Sequence, residues 1–300
     1  MNRKFDKTYL LTSFSFQKQR PIMKDYSKKV SVSFIILNYR CCKFAKECVD
    51  SILHHVDDME YEILVVDNGS GSDEQFELEK LFENTPVELI RNKRNAGFGL
   101  GNMMGANFAS GKFLCFLNPD TYIDEDCVTP LCQFLDEHNE VGCVSPRQIR
   151  AYANDMQNVK GHDCNGIISM LKIPGSFMMF KAETFWQIGG FDTNIFLYSE
   201  EEDVGRRLNK IGKHCAINTY YHYYHHVGVT TKRDRKSSKE TEKEYFRSKL
   251  YVYRKHHNVF LSVVNHLKWI VKVAATPRRW YCLSVVLSSE SMSRSMRHQV

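Results

Sequence analysis

Between residues 32 and 117 the chain alternates two kinds of hydrophobic pattern: short runs that are almost wholly apolar, and longer stretches whose apolar positions recur every three or four residues. The first kind predicts strands over 32–37, 62–66, 87–90 and 113–117. The second predicts helices over 43–54, 73–83 and from the Gly-rich segment 95–105 to about Gly111. Strand and helix in strict turn imply an α/β domain with a mostly parallel central sheet flanked by helices. Strands buried on both faces explain why the runs are continuous rather than alternating. The later chain is less periodic. A strand is expected over 175–180 and a helix over 201–211, closed by Gly212. The densely charged segment 231–249 reads as a solvated helix or a mobile loop. Beyond Val259, apolar residues alternate with Lys268, Lys272, Arg278 and Arg279, giving a basic amphipathic stretch that lies on a membrane surface or packs back on the domain. Residues 1–29 show neither period and form a flexible tail, in which Met23 offers an alternative start. The expected division is therefore a tail over 1–29, an α/β domain over 30–258 and a C-terminal helical extension over 259–300.

Composition sets limits on this picture. Three hundred residues that are 43% apolar support a large core and exclude general disorder. A formal charge of +6 suits an anionic partner such as a nucleotide or a lipid headgroup. In the segment 233–244 basic and acidic residues interleave, which argues against a nucleic-acid face. The ten cysteines lack CxxC pairing and sit largely in apolar runs, as buried reduced thiols of a cytoplasmic protein would. The N-terminus has no clean signal-peptide core, and no run of eighteen apolar residues occurs.

Ligands of open α/β sheets bind beyond the carboxyl ends of the strands. Asp67 and Asp120 each stand directly after such an end, so two acids arrive at one edge. A carboxylate there can accept hydrogen bonds from the hydroxyls of a ribose or the N–H of a base. The glycines at 97, 99 and 101 follow a G-x-G-x-G spacing, which is not the dinucleotide fingerprint. The histidines at 222, 225 and 226 match no structural zinc motif, and no cysteines are placed to complete one.

Several ordered motifs carry a resemblance: FIILNYR at 34–40, VVDNGSGSD at 65–73, NAGFGLGNMMGA at 95–106, FLNPDT at 116–121, GSFMMFKAETFWQIGGFD at 175–192 and YSEEEDVGRRL at 198–208. From about Val30 to Asn258 the chain resembles the GT-A fold, family 2 inverting glycosyltransferases, particularly the rhamnosyltransferase-like branch of bacterial surface polysaccharide synthesis. The resemblance implies a nucleoside-diphosphate-sugar donor, UDP or dTDP, held by Asn38, Tyr39, Asp67, Asn95, Gly97, Gly99, Asn102, Asn118, Asp120 and Arg207. It implies a divalent metal, Mg²⁺ or Mn²⁺, on Asp120, with His226 or His225 nearby. Asn118 replaces the first Asp of the usual Asp-x-Asp pair. Counting back from Arg207 sets Glu200 and Glu201 on the family's Glu-Asp pair and Asp203 on its second Asp. Glu201 is then the base that takes the acceptor's proton, with Glu200 its rival. The acceptor is expected to be a saccharide, lipid-linked at the inner face of the cell membrane. An inactive binding or scaffolding subunit on the same fold is the alternative that Asn118 raises.

Overall fold

The structure, a computed structural model, describes residues 8–9, 31–150, 166–226 and 235–288. Of the expected tail over 1–29, only Thr8–Tyr9 falls among them; Met23 and residues 289–300 lie outside. The described strands form one ten-stranded sheet. Its parallel half runs β1 (Thr8–Tyr9), β4 (Val87–Asn92), β3 (Tyr61–Asn68), β2 (Val32–Asn38) and β5 (Phe113–Leu117). It continues through β9 (Phe177–Lys181), β7 (Val141–Arg150), β10 (His214–His225) and β6 (Thr121–Tyr122), with β8 (Ile167–Met170) also on β10. β9 is antiparallel to both neighbours, β7 and β10 are parallel, and β6 is antiparallel to β10.

Each central strand feeds two cores. Val32, Phe34 and Ile36 face one side with Ile63, Val65, Cys115 and Leu117, and there they meet α1 (Cys42–His55), α2 (Ser72–Leu81) and α4 (Val128–Glu137). Ile35, Leu37, Leu64, Val66 and Phe116 face the other side, against α3 (Phe98–Phe108), α5 (Ala182–Gln187) and α6 (Glu200–Lys210). The period-two geometry of a strand makes this split automatic, and each fully buried large side chain contributes roughly 1.5–3 kcal/mol. The expected α/β architecture and its parallel half are therefore present, with element ends shifted by a few residues.

Two expectations change. The charged segment over 231–249 is, where described, part of the 22-residue helix α7 (Arg235–His256), and it is not merely solvated. Phe246 and Leu250, four residues apart on one face, are 1% and 2% exposed. They form a third core with Val273 of α8 (Val259–Ala274), Cys282, and Val285 and Val286 of α9 (Leu283–Leu287). Second, β10 has no counterpart among the expected strands, because its alternation of His, Tyr and small residues gives no apolar run. The nine described cysteines are all buried and none is in a disulfide. No helix among the described residues is long and apolar enough to cross a membrane.

Candidate active site

The carboxyl ends of β2 and β3 lie side by side, with Asn38 opposite Asp67. Both side chains are buried. Asp67 accepts hydrogen bonds from Gln75 Nε2 (3.1 Å), the Ser70 backbone N–H (3.3 Å) and Asn38 Nδ2 (3.4 Å). These three donors fix the direction of the buried carboxylate. The neighbouring turn is tied to the same group: Arg40, at φ 56°, donates its N–H to Ser70 Oγ (2.8 Å). Tyr39 lies beside it, its ring centroid 5.2 Å from the Arg40 guanidinium carbon. Helix α1 begins here without a cap of its own, and Glu74 from α2 accepts the Cys42 N–H at 2.7 Å.

The Gly-rich loop is organised from within. Asn95 Oδ1 accepts from the Gly97 N–H (2.9 Å) and from Asn68 Nδ2 (3.1 Å), while Asn68 Oδ1 accepts from the Ala96 N–H (3.0 Å). Asn68 is thus the hub of the loop, although nothing in its sequence position beyond the turn signal marks it. Gly97 has φ 82°, and a Cβ there would stand 2.2 Å from the Phe196 carbonyl oxygen; at Gly99 it would stand 3.3 Å from that of Asp192. The close backbone approach these glycines allow is that of the segment 191–196. Asn102 Nδ2 donates to the Phe98 carbonyl (3.1 Å), and its buried Oδ1 has no partner.

Asp120 sits at the third edge position, after β5. The Asn118 N–H donates to the Ser176 carbonyl (3.0 Å), and Thr121 Oγ1 donates to the Asn118 carbonyl (2.6 Å), closing the turn. Pairing of β6 with β10 sets Thr121 opposite His225. That pairing brings His225 Nε2 to 3.1 Å from Asp120 Oδ1. Gln148 Nε2 lies 2.7 Å from His225 Nδ1 and 2.9 Å from Ser176 Oγ, which is in turn 2.7 Å from the Tyr223 hydroxyl. An amide donor on Nδ1 leaves the ring proton on Nε2, facing the carboxylate. Burial pushes the Tyr223 phenol far up, so it stays protonated and available as a donor. The ring at Asp120 is therefore that of His225. His226 donates its backbone N–H to the Asp120 carbonyl (2.9 Å), while its ring packs against Tyr122 and Phe44 at 5.4 and 5.7 Å. The following residues, 227–234, lie outside the described set. Gln148 carried no sequence signal and is brought in by its register with β10, opposite Tyr223; Ser176 lies in the 175–192 motif, where nothing marks it.

Among the described residues no group of three or more His, Cys, Asp or Glu side chains gathers for a metal. Asp120 with the adjacent His225 offers a hard oxygen ligand and an imidazole, a set that fits a divalent cation only where a ligand's own oxygens complete the shell.

The acidic cluster opens α6. Tyr198 and Ser199 both have φ 71°, a left-handed backbone that non-glycine residues hold only under constraint. Glu200 is 3% exposed, and its Oε1 has no partner. Burial drives its carboxyl well above the ordinary range, and the Glu201 charge adds to this. Glu201 is also raised by burial, but its own N–H, Lys172 and the Gly175 N–H pull the other way. Of the pair, Glu201 ionises more readily. A raised carboxyl stabilises the fold fully below its unfolded pKa and loses that contribution as pH rises through the folded one. Replacing Glu200 by Gln should therefore flatten the fall in stability between acid and alkaline pH, by about 1.4 kcal/mol for each pH unit that separates the folded from the unfolded titration. Urea unfolding at several pH values reads this, and a variant that parallels the wild type at every pH would show that Glu200 does not carry the cost.

Asp203 differs from both. It is fully buried and held by two cations, Arg207 Nε at 2.7 Å and Lys255 Nζ at 2.6 Å, with His256 Nε2 at 2.8 Å; burial holds the His256 imidazole below its ordinary pKa. Arg207 also donates to the carbonyls of Ile188 and Gly190, each at 2.6 Å. Asp203 and Arg207 thus tie α6 to α7 and to the 188–190 turn. Asp203→Ala should destabilise the fold by about 3–5 kcal/mol, because it leaves the largely buried Arg207 guanidinium without its carboxylate. Unchanged denaturant stability with lost turnover would instead mark Asp203 as a reacting group.

One short segment joins the parts. Ser176 holds Asn118 through its carbonyl and Gln148 through its hydroxyl, and a Cβ on the preceding Gly175 would stand 2.6 Å from Glu201 Oε1. The turn that carries Asp120 and the side chain of Glu201, far apart in sequence, are thereby both in contact with the Gly175–Ser176 segment.

Residues 33–198, more than half the chain, match the family described as Glycosyl transferase family 2. Over 212 residues the chain is 24% identical to a hyaluronan synthase of Pasteurella multocida, a match covering 68% of this chain and 21% of that protein. The chain thus spans about a fifth of that relative's length. An N-acetylglucosaminyl-diphospho-decaprenol L-rhamnosyltransferase of Mycobacterium tuberculosis is 36% identical over 62 residues, 21% of this chain and 20% of that one. Among solved structures, a mannosyltransferase from Pyrobaculum calidifontis, in complex with GDP-Man and Mn²⁺, superposes with a TM-score of 0.58 at 16% identity. That superposition covers 94% of this chain and 81% of the other, and it establishes the GT-A fold.

Proposed function

The chain belongs to glycosyl transferase family 2, and from that premise we propose an inverting transfer of a sugar from a nucleoside-diphosphate-sugar to a saccharide hydroxyl. The observation that supports the reading is that one segment touches both acidic neighbourhoods: Ser176 accepts the Asn118 N–H two residues before Asp120, and Gly175 stands against Glu201. Asp67, with Asn38 and Tyr39, takes the nucleoside at the β2 and β3 ends. The Asn95–Gly97 loop and Asn102 shape the floor, and Asn118 and Asp120 face the diphosphate. Asp203 and Arg207 serve as positioning residues for α6, consistent with their buried ion pairs.

Asp120 would hold a divalent cation, Mg²⁺ or Mn²⁺, which when bound would neutralise charge on the departing diphosphate. His225, oriented by Gln148, fixes the Asp120 carboxylate. Glu201 accepts the proton of the acceptor hydroxyl as that oxygen bonds to the anomeric carbon. The bond from that carbon to the diphosphate oxygen breaks, and its electron pair leaves with the diphosphate. Glu200 stays protonated beside Glu201, so environment separates two neighbouring carboxyls into different roles. If Glu200 is instead the base, Glu200→Gln and not Glu201→Gln is the inactive variant.

The Mycobacterium relative's name supports a lipid-linked acceptor and the rhamnosyltransferase-like branch, over the short span it matches. UDP and dTDP remain the proposed donor nucleotides, and GDP belongs in the same trial because the Pyrobaculum neighbour holds GDP-Man. An inactive binding subunit is the competing reading, prompted by Asn118 where an Asp is usual. Incubation with nucleotide sugars, Mn²⁺ and saccharide acceptors separates the two: the enzyme releases nucleoside diphosphate, and the binding subunit does not.

A further inference from the structure

We propose that the outer face of α8 is an interfacial surface that binds an anionic lipid bilayer. The helix is packed the unusual way round. Its inner face holds Trp269, Ile270 and Val273 against the third core. Its outer face carries Phe260, Val264, Leu267 and Val271, which are 74%, 48%, 56% and 67% exposed. Their spacing of four, three and four residues puts them in one stripe along the helix. A continuous apolar stripe in water is unfavourable unless something covers it.

Charge identifies the cover. Residues 245–289 contain eight Lys or Arg and no Asp or Glu. Some of these cations are used internally, as Arg279 is by Glu242. Lys268 and Arg278 have no carboxylate partner among the described residues, and Lys272 lies 4.6 Å from the Trp269 ring centroid. Lys268 and Lys272 fall on one flank of the apolar stripe at helical spacing. Where α7 gives way to α8, a groove of about 340 Å³ joins Val263 and Leu267 to Arg254, His257 and His266. Apolar surface beside cations matches an acyl layer beneath phosphate headgroups. Trp280, 56% exposed just beyond the helix, is a residue type that favours the same interface. A second copy of the chain fits less well, because it would bring Lys268, Lys272 and Arg278 against their own like charges. The helix has 16 residues and does not meet the requirement for a membrane span, so it lies along the surface.

The test is vesicle flotation of the full chain with phosphatidylcholine alone and with phosphatidylcholine mixed with phosphatidylglycerol. Wild type should float with the mixed vesicles and not with the neutral ones, with a blue shift in tryptophan emission. Lys268→Glu with Lys272→Glu should weaken binding by about fivefold per charge removed, and more on reversal. Phe260→Ser with Leu267→Ser should weaken it tenfold or more while leaving circular dichroism and thermal midpoint unchanged, since both side chains are already in water. Equal flotation with both vesicle types, or flotation indifferent to both double variants, overturns the proposal. So does a wild-type dimer by light scattering that Leu267→Ser dissolves, with no flotation by either protein.

Discussion

Glu201→Gln should lower kcat by roughly 10² to 10⁴-fold, the usual contribution of a positioned general base. Glutamine keeps the shape and can still accept the Gly175 N–H, so the strained Tyr198–Ser199 entry and the start of α6 should survive. Only basicity is removed. Donor affinity should therefore stay within about twofold of wild type, because the loss is confined to the transition state. The pH profile gives a second signature. Burial raises the Glu201 carboxyl above the ordinary range, and the base works only when ionised. The acid limb of kcat should accordingly fall at a pH above that of an ordinary glutamate and vanish in the variant's residual activity. Wild-type turnover in Glu201→Gln, with Glu200→Gln inactive, would move the base by one residue.

Asp120→Asn should cost about 10³-fold in kcat/KM, in line with the several kcal/mol that metal-assisted neutralisation of a leaving group supplies. The substitution is nearly isosteric, and Asn Oδ1 can accept the His225 Nε2–H bond that Asp120 Oδ1 accepts now. Thermal stability should change little, which separates this site from Asp203, where removal of a carboxylate leaves the Arg207 guanidinium without its partner. Activity of the wild type should rise steeply with Mn²⁺ or Mg²⁺, whereas the variant should need far more metal or fail to respond. An identical metal titration for the two proteins would remove Asp120 from the metal site.

How far these roles can be read from the chain differs along it. The parallel half is open to inspection because β2, β3 and β5 are buried on both faces and so appear as unbroken apolar runs. Strand ends then locate Asp67 and Asp120 by geometry alone. The other half is not open. β10 spreads His, Tyr, Asn and Thr among its buried positions, and its register with β7 shifts partway along. No local pattern encodes that Gln148, Ser176 and His225 converge on Asp120, since His225 stands 105 positions away. The same holds for α7, whose buried Phe246 and Leu250 are hidden among charged neighbours. Resemblance named the Glu200, Glu201 and Asp203 run as a unit, and packing divides it. Asp203 is paired with Arg207 and Lys255 and bonded to His256, Glu200 has a buried oxygen without a partner, and Glu201 has Lys172 and the Gly175 N–H favouring its charge.

The central claim is that a nucleoside diphosphate is held at the β2, β3 and β5 edge, anchored by Asp67. Calorimetric titration with UDP, dTDP and GDP in the presence of Mn²⁺ tests it most directly, using wild type, Asp67→Ala and Glu201→Gln. At least one nucleotide should bind the wild type and Glu201→Gln alike, and bind Asp67→Ala about 10 to 100-fold more weakly, the value of hydrogen bonds to a charged group. No binding of any nucleotide to the wild type, or equal binding to Asp67→Ala, would contradict it.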